Sequence, residues 1–182
     1  MEKSLSGIIV VIVALLPGCC DEDEYIYIPE ENKILYELHD TLVYKSNEGE
    51  LDTFFVSDTS QWFDEALNYD YCGTATYREN FRYIFSSLSD NSNEYFDIRY
   101  FINEVDMRWY SSHFGMMLSN TPEMDSLVID DKTYYGIYRE ESSEDTATVQ
   151  TIYFHRKYGI VKYEDIHDKS WFLFKILKNN EQ

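Results

Sequence analysis

ILYELHDTLVYKSNEGELDTFFV, residues 34–56, has the clearest supersecondary pattern in this chain. In its first half the apolar residues occupy even positions, as a half-buried strand requires: Ile34, Tyr36, Leu38, Leu42 and Tyr44. Polar turn residues fill positions 47–50, and the apolar-rich run at residues 51–56 then returns as a second strand. The stretch therefore predicts an antiparallel β-hairpin.

The same two-residue period recurs along most of the chain. Residues 96–102 and 105–109 each alternate along the strand, and Asn103-Glu104 separates them. Five further runs have the length and composition of short strands: residues 127–129, 133–139, 148–156, 160–163 and 171–176. Gly159 and the polar residues 166–170 supply turns between the last of these runs. The C-terminal third is therefore predicted to consist of strands joined by turns.

Two segments before residue 90 are less regular. Residues 58–71 fit a short helix with Thr59 or Ser60 near its N-cap. The apolar face of this helix would carry Trp62, Phe63, Ala66 and Leu67. Residues 77–85 alternate as a strand does, and a strand is favoured there. A helical stripe also fits this second segment, through Phe81, Ile84, Phe85 and Leu88.

Composition agrees with a strand-rich fold. The 182 residues suit one domain, and they include 17 Tyr and 11 Phe, which favour pleated, half-buried surfaces. Eight to ten short strands are expected, and a sheet of that size must curl or fold over to bury its edges. The predicted fold class is mainly β, an antiparallel meander curled into a barrel-like or sandwich domain, preceded by an N-terminal lipoprotein signal peptide.

The N-terminus has the layout of a secretory signal. Lys3 precedes GIIVVIVALL at residues 7–16, a run of ten residues that is too short to span a bilayer of about 30 Å as a helix. The run ends in Leu16-Pro17-Gly18-Cys19, which resembles the lipobox of bacterial lipoproteins. The resemblance implies removal of residues 1–18 and lipidation of the Cys19 thiol. The implied partner is a lipid bilayer, held through acyl chains on Cys19.

Four regions follow from this layout. They are the signal peptide at residues 1–18, a lipidated acidic tether at 19–32, one β-rich domain at 33–178 and a polar tail at 179–182. The acidic run at residues 21–24 resembles the export signal of surface-exposed lipoproteins of Bacteroidetes-type bacteria. The expected location is therefore the bacterial cell envelope, at the outer membrane. Surface-exposed and periplasm-facing positions both remain open.

A second resemblance covers about half of the chain. The segments at residues 40–54 and 151–163, with Trp171-Phe172-Leu173, are similar to small envelope lipoproteins of Bacteroidetes. These motifs are structural, and that family has no established activity. The resemblance therefore implies no catalytic or ligand-binding residue in this chain.

The charge balance excludes one class of partner. Lys and Arg total 15 against 34 Asp and Glu, which gives a formal net charge of -19. Removal of the signal peptide takes away one Glu and one Lys, so the charge is unchanged. Such a chain repels the phosphate backbone, and no nucleic-acid partner is predicted. The acidity indicates solubility, with an acidic site for cations or basic partners as the alternative.

Motifs that carry chemistry are scarce. The sequence has no Gly-rich phosphate loop, nucleophile elbow, zinc-protease helix or EF-hand loop, so no catalytic residue, metal ligand or cofactor is predicted. The residues that nonetheless merit inspection fall into three groups. The histidines are His39, His113, His155 and His167. Candidate calcium ligands are Asp90, Ser92 and Glu94, or Glu140, Glu141, Glu144 and Asp145. Candidate pocket-lining residues, which core packing explains equally, are Trp109, Tyr110, Phe114, Met116 and Met117.

Two cysteines remain once Cys19 is lipidated. Cys20 and Cys72 can pair in an oxidising envelope, but the sequence sets no distance between them. The pairing therefore stays open at this point.

Three functions are compatible with these features. The leading hypothesis is a noncatalytic lipoprotein that acts by binding an unknown protein or small ligand, or by assembly, at the envelope. The alternative is a carrier or sensor of an amphiphile inside the curled sheet, which requires an apolar cavity. A hydrolase of unrecognised type is the third, and it requires histidine and carboxylate side chains to converge in one cleft.

Overall fold

A computed structural model describes most of the chain beyond residue 22. The described residues are 23–34, 36–66, 75–88, 95–102, 104–109, 112–118, 121–144 and 147–179. They form twelve β-strands and one turn of 3₁₀ helix, Glu30–Asn32. No helix within these ranges has the length and apolar character needed to cross a bilayer.

The strands are numbered in chain order. They are β1 (Glu24–Ile26), β2 (Thr41–Ser46), β3 (Leu51–Ala66), β4 (Thr76–Ser87), β5 (Tyr95–Tyr100), β6 (Glu104–Trp109), β7 (Ser112–Met117), β8 (Met124–Ile129), β9 (Lys132–Glu141), β10 (Val149–His155), β11 (Gly159–Asp165) and β12 (Ser170–Leu177). Every ladder between them is antiparallel except that of β1, which pairs with β4 in parallel.

The sheet consists of two meanders joined at the middle. Strands β2 to β7 form one meander and β8 to β12 the other, and β12 lies beside β2. The edges of the sheet are therefore β7 and β8, which follow one another in the chain. The seven steps from Met117 to Met124 reach at most about 25 Å. The Val149 amide also donates to Ser112 Oγ at 3.2 Å, so β10 and β7 approach each other across the open side. The sheet curls into a half-barrel, which confirms the predicted class.

Aromatic side chains fill the concave face. The Phe96 ring stacks between Phe85, at a centroid distance of 4.2 Å, and Trp109, at 4.6 Å. Phe54 meets both Phe96 and Trp109 edge-on. These four side chains are at most 3 % exposed. Each such pair contributes about 0.5–1.5 kcal/mol beyond the area that it buries, so this stack is a major source of stability.

The segment before β2 closes one end of the half-barrel. Ile34 and Tyr36 are buried although neither lies in a strand. Tyr36 donates a hydrogen bond to the Tyr158 carbonyl at 2.5 Å, and Tyr83 donates to the Ile34 carbonyl at 2.9 Å. Gly159 has φ +65°, and a Cβ at this position would lie 2.7 Å from Tyr36 Oη. A glycine is therefore required where β11 begins beneath the segment.

The predicted hairpin is confirmed, but its first strand begins later than expected. Strand β2 starts at Thr41 because His39 takes a left-handed conformation, φ +72°, in the turn before it. Leu38 is 43 % exposed, whereas Ile34 and Tyr36 are buried by the opposite side of the barrel. The apolar residues at even positions before Thr41 therefore marked the burial of Ile34 and Tyr36, and not pairing in a strand.

The predicted helix at residues 58–71 is wrong over residues 58–66, which form a strand, and residues 67–71 lie outside the described part of the chain. Strand β3 continues to Ala66 and pairs with β4 as far as Thr76. Strand β2 pairs only with Leu51–Phe55 of β3. The outer part of the β3–β4 hairpin therefore projects beyond the body of the sheet. Pairing along β4 supplies the backbone hydrogen bonds of the segment, and this tertiary partner overrides its helical spacing.

The tether prediction for residues 19–32 also needs correction. Glu24–Ile26 pairs with β4, and Ile28 is 2 % exposed in the core. The Ile28 amide donates to Glu79 Oε2 at 2.8 Å. The folded domain therefore begins at β1, well before residue 33, because this segment carries apolar side chains as well as its acidic ones.

Candidate functional site

The residue predicted to carry the lipid lies outside the described part of the chain. Cys19 belongs to the undescribed N-terminal residues, as does Cys20, and Cys72 falls in the undescribed stretch 67–74. Lipidation of Cys19 therefore stays a prediction, and the pairing of Cys20 with Cys72 stays open.

The four histidines lie in four different elements. His39 precedes β2, His113 lies on β7, His155 ends β10 and His167 follows β11. His113 Nε2 is 2.5 Å from Asp106 Oδ1 on the exposed side of the sheet. The other three have no side-chain contact with a carboxylate among the described hydrogen bonds and salt bridges. The convergence that a histidine-dependent hydrolase requires is thus not formed by the described residues.

The remaining candidates do not assemble into a cation site or an internal pocket. Asp90, Ser92, Glu94, Asp145 and Tyr110 lie outside the described ranges. Glu141 pairs with Arg139 at 2.6 Å, and no group of three His, Cys, Asp or Glu within the described ranges could hold a metal ion. Trp109, Phe114 and Met116 are buried, whereas Met117 is 49 % exposed. The first three are part of the packed core.

At the closed end of the half-barrel, several hydrogen bonds hold the guanidinium of Arg156 in place. Arg156, in the turn between β10 and β11, donates from Nε to Tyr138 Oη at 3.0 Å and from Nη1 to Asn32 Oδ1 at 3.1 Å. Its Nη2 donates to the Leu118 carbonyl and to Tyr138 Oη. The carbonyl of Arg156 accepts from Tyr100 Oη at 3.3 Å. Residues from three separate parts of the chain therefore fix this guanidinium, and a fourth holds the Arg156 backbone.

Two lysine ammonium groups lie near the ring of Tyr158, two residues after Arg156. Lys132 Nζ is 4.0 Å from the ring centroid of Tyr158 and 4.7 Å from that of Tyr134. Lys157 Nζ is 5.9 Å from the Tyr158 centroid. Ring faces stabilise cations, but they leave the positive charge without a counter-ion.

His155 lies among these cations and is held in its neutral form. Its Nδ1 accepts from the backbone amides of Lys157, at 3.0 Å, and Tyr158, at 3.3 Å. Burial lowers the pKa of His155, and the nearby charges of Lys132 and Lys157 lower it further. Because Nδ1 accepts, the proton of the neutral ring is on Nε2, which leaves one N–H as a donor.

We call Lys132, His155, Arg156 and Lys157 the basic cluster. None of the salt bridges formed by the described residues involves its lysines or its arginine. Three of its members line a groove of about 450 Å³, together with Glu31, Asn32, Pro122, Tyr135, Gly136 and Tyr138. Such a concentration of unneutralised positive charge in a chain of net charge -19 makes this groove the candidate binding site.

The opposite end of the half-barrel holds a half-buried carboxyl group, that of Asp52. Asp52 pairs with Tyr44 across β2 and β3 and faces inward, where it accepts from Tyr163 Oη at 2.7 Å. It borders a smaller pocket, of about 250 Å³, lined also by Trp109 and Trp171. Burial raises the pKa of Asp52, although the Tyr163 hydrogen bond opposes the shift.

We expect Asp52→Asn to stabilise the protein at neutral pH. A carboxyl whose pKa is higher in the fold than in the unfolded chain favours folding when protonated, and that contribution is lost as pH rises through the folded pKa. The substitution should therefore raise the urea midpoint at pH 7 and leave it nearly unchanged at pH 3. The exposed Asp131→Asn is the matched control. An equal effect of Asp52→Asn at both pH values would argue against burial as the cause.

Sequence reasoning missed the basic cluster. His155-Arg156-Lys157 is a local run of basic residues in an acidic chain, and this run is the signal that was present. Lys132 gave no such signal, because it joins the run only through the pairing of β9 with β10.

No protein-family model, curated protein or solved structure matches this chain. Its function is therefore argued from its own residues.

Proposed function

We propose that this chain is a lipid-anchored lipoprotein of the bacterial cell envelope that binds a ligand or partner without transforming it. The supporting observation is the sequence Leu16-Pro17-Gly18-Cys19 after a ten-residue apolar run. The fold is compatible with such an anchor, since β1 begins at Glu24, only five residues after the cysteine. Five residues of chain span at most about 18 Å, so an anchor at Cys19 holds the β1 side of the domain close to the bilayer.

A binding role is favoured over the two other functions by the placement of side chains. The groove beside the basic cluster is open at the surface, and Tyr135 on its wall is 71 % exposed. In contrast, Phe54, Phe96 and Trp109 occupy the interior in which an amphiphile would have to be carried. The histidines required by a hydrolase are dispersed over four elements.

The anchor is tested by intact mass and membrane fractionation of the full chain expressed in a Gram-negative bacterium. We expect a mature species that begins at Cys19, carries acyl chains and sediments with membranes. Cys19→Ala should abolish both the acyl mass and the membrane association, since each buried methylene contributes about 0.8 kcal/mol. Cys20→Ala, one residue away, is the matched control and should remain lipidated.

An unmodified chain that stays in the soluble fraction would overturn the proposal. Protease treatment of intact cells then distinguishes the two orientations left open by the sequence. Cleavage of the domain by external protease indicates display on the surface, and protection indicates a periplasm-facing domain.

A further inference from the structure

We propose that the groove beside the basic cluster is a binding site for a phosphate group carried on a small organic molecule. This inference names a ligand class for the binding role proposed above and rests on that role. It does not depend on the lipid, so it is tested on the chain from residue 19 onward with Cys19→Ala.

The first reason is charge. The chain carries more than twice as many acidic as basic residues, and seven of the fourteen lysines and arginines within the described residues pair with a nearby Asp or Glu. Lys132, Arg156 and Lys157 come together without such a partner among the described residues. Clustering like charges raises the energy of the folded state unless an anion neutralises them. A bound phosphate supplies that anion.

The second reason is the way in which Arg156 is held. Its hydrogen-bond partners are neutral oxygens of Asn32, Leu118 and Tyr138, so the guanidinium is fixed in position while its charge stays uncompensated. With Nε and both N–H groups of Nη2 engaged, one N–H of Nη1 remains to donate to a ligand. A pre-positioned arginine loses little freedom on binding, which favours recognition of an oxyanion.

The third reason is the set of donors around the arginine. The Nε2–H of neutral His155 and the ammonium group of Lys157 are N–H donors on the groove wall, and a phosphate offers several acceptor oxygens. Lys132 does not line the groove, and it adds positive charge near His155. Tyr135 adds an exposed ring beside the same groove, suited to an apolar or aromatic body on the ligand. We therefore expect an organic phosphate to bind more tightly than inorganic phosphate.

One group opposes anion binding. Glu31 lines the same groove and forms no salt bridge with the cluster. Its carboxylate repels a phosphate and limits affinity. The proposal therefore predicts that Glu31→Gln strengthens phosphate binding, which is the opposite of the effect expected from the lysine substitutions.

Binding is measured by titration calorimetry at low ionic strength, with phenyl phosphate and inorganic phosphate as probes. We expect Lys132→Gln and Lys157→Gln each to weaken phenyl phosphate binding about fivefold, as the loss of one charge-assisted contact implies. Glu31→Gln should strengthen it by a similar factor. Lys45→Gln is the matched control and should leave affinity unchanged, because Lys45 contacts Phe174 at a different groove.

A readout besides affinity comes from His155. Its nearest charges are Lys132 and Lys157, with Arg156 and Glu31 lining the same groove. A bound anion offsets the lysine charges and stabilises the imidazolium, so the His155 pKa measured by NMR should rise when phosphate is added.

The source of the phosphate is distinguished with vesicles. Sedimentation with phosphatidylglycerol vesicles that is lost in Lys132→Gln, without sedimentation on phosphatidylcholine, assigns the site to a lipid headgroup. Binding of phenyl phosphate without vesicle binding assigns it to a soluble phosphate ester. The proposal is overturned if neither probe binds, or if Lys45→Gln weakens binding as much as the cluster variants do. These results are independent of whether Cys19 is lipidated in cells.

Discussion

Asp40→Ala is expected to lower the free energy of unfolding by about 3–5 kcal/mol, the usual result of breaking a buried charge pair. Asp40 has no solvent exposure, and its carboxylate accepts hydrogen bonds from the Glu37 amide at 2.8 Å and the Asn179 amide at 3.1 Å. It also accepts from Lys178 Nζ at 2.6 Å. One carboxylate thus ties the turn before β2 to the end of β12. Its removal leaves the two backbone amides without their acceptor and the Lys178 ammonium without its counter-ion.

Urea unfolding followed by circular dichroism measures this loss. Lys178→Met should cost much less, because the Lys178 side chain is 38 % exposed and the two backbone amides still satisfy the carboxylate. Asp131→Ala, at an exposed turn, should change stability by less than about 0.5 kcal/mol. A loss below about 1 kcal/mol for Asp40→Ala would show that these contacts are not formed in solution.

The second large effect is expected from Cys20 and Cys72, which lie outside the described residues. The described ladder fixes where their neighbours lie: Glu24 pairs with Thr76, and Asp23 Oδ1 accepts from the Ala75 amide at 3.2 Å. Each cysteine comes three residues before one of these neighbours, at Asp23 and at Ala75. Three residues span about 10 Å on each side, so the two thiols can reach each other. We predict that they form a disulfide.

The bond would close a loop of roughly 50 residues and stabilise the fold by about 4 kcal/mol. It is tested on the Cys19→Ala chain, with oxidised glutathione as the oxidant. The two thiols lose two hydrogens, and glutathione disulfide is reduced to two thiols. Non-reducing peptide mapping should recover the cross-linked pair. Cys20→Ser, Cys72→Ser and the double variant should lose the same stability, since each removes the same bond. Two titratable thiols after oxidation would contradict the prediction.

The strands of the half-barrel could be predicted wherever one face is buried and the other is wet. This condition holds for β6, whose buried and exposed residues alternate. In β5 the polar Asp97 is buried as well as its apolar neighbours, so the alternation there lies in residue type rather than in exposure. The condition fails for the outer half of β3, where both faces are partly exposed and Trp62 and Phe63 fall at helical spacing. Periodicity reports burial, and an arm of the sheet that projects beyond the core buries too little of either face to show it.

The end of the barrel and its binding groove could not be predicted for a different reason. Ile34 and Tyr36 are buried by residues more than a hundred positions away, including Tyr158 and Gly159. Lys132 lies near His155 only because β10 folds back against β9. Such contacts depend on strand order and register, which the local pattern of a single sequence does not contain.

The pairing of β2 with β12 has a consequence for the timing of folding. Leu42 faces Ile176 at the centre of the sheet, so the two meanders are joined by the last strand in the described part of the chain. Contacts of such sequence separation are closed late and slowly, in milliseconds to seconds for all-β domains. Until then both meanders expose unpaired edges and can associate with other chains. A domain that completes its core only when β12 pairs with β2 therefore depends on protection from aggregation until that step.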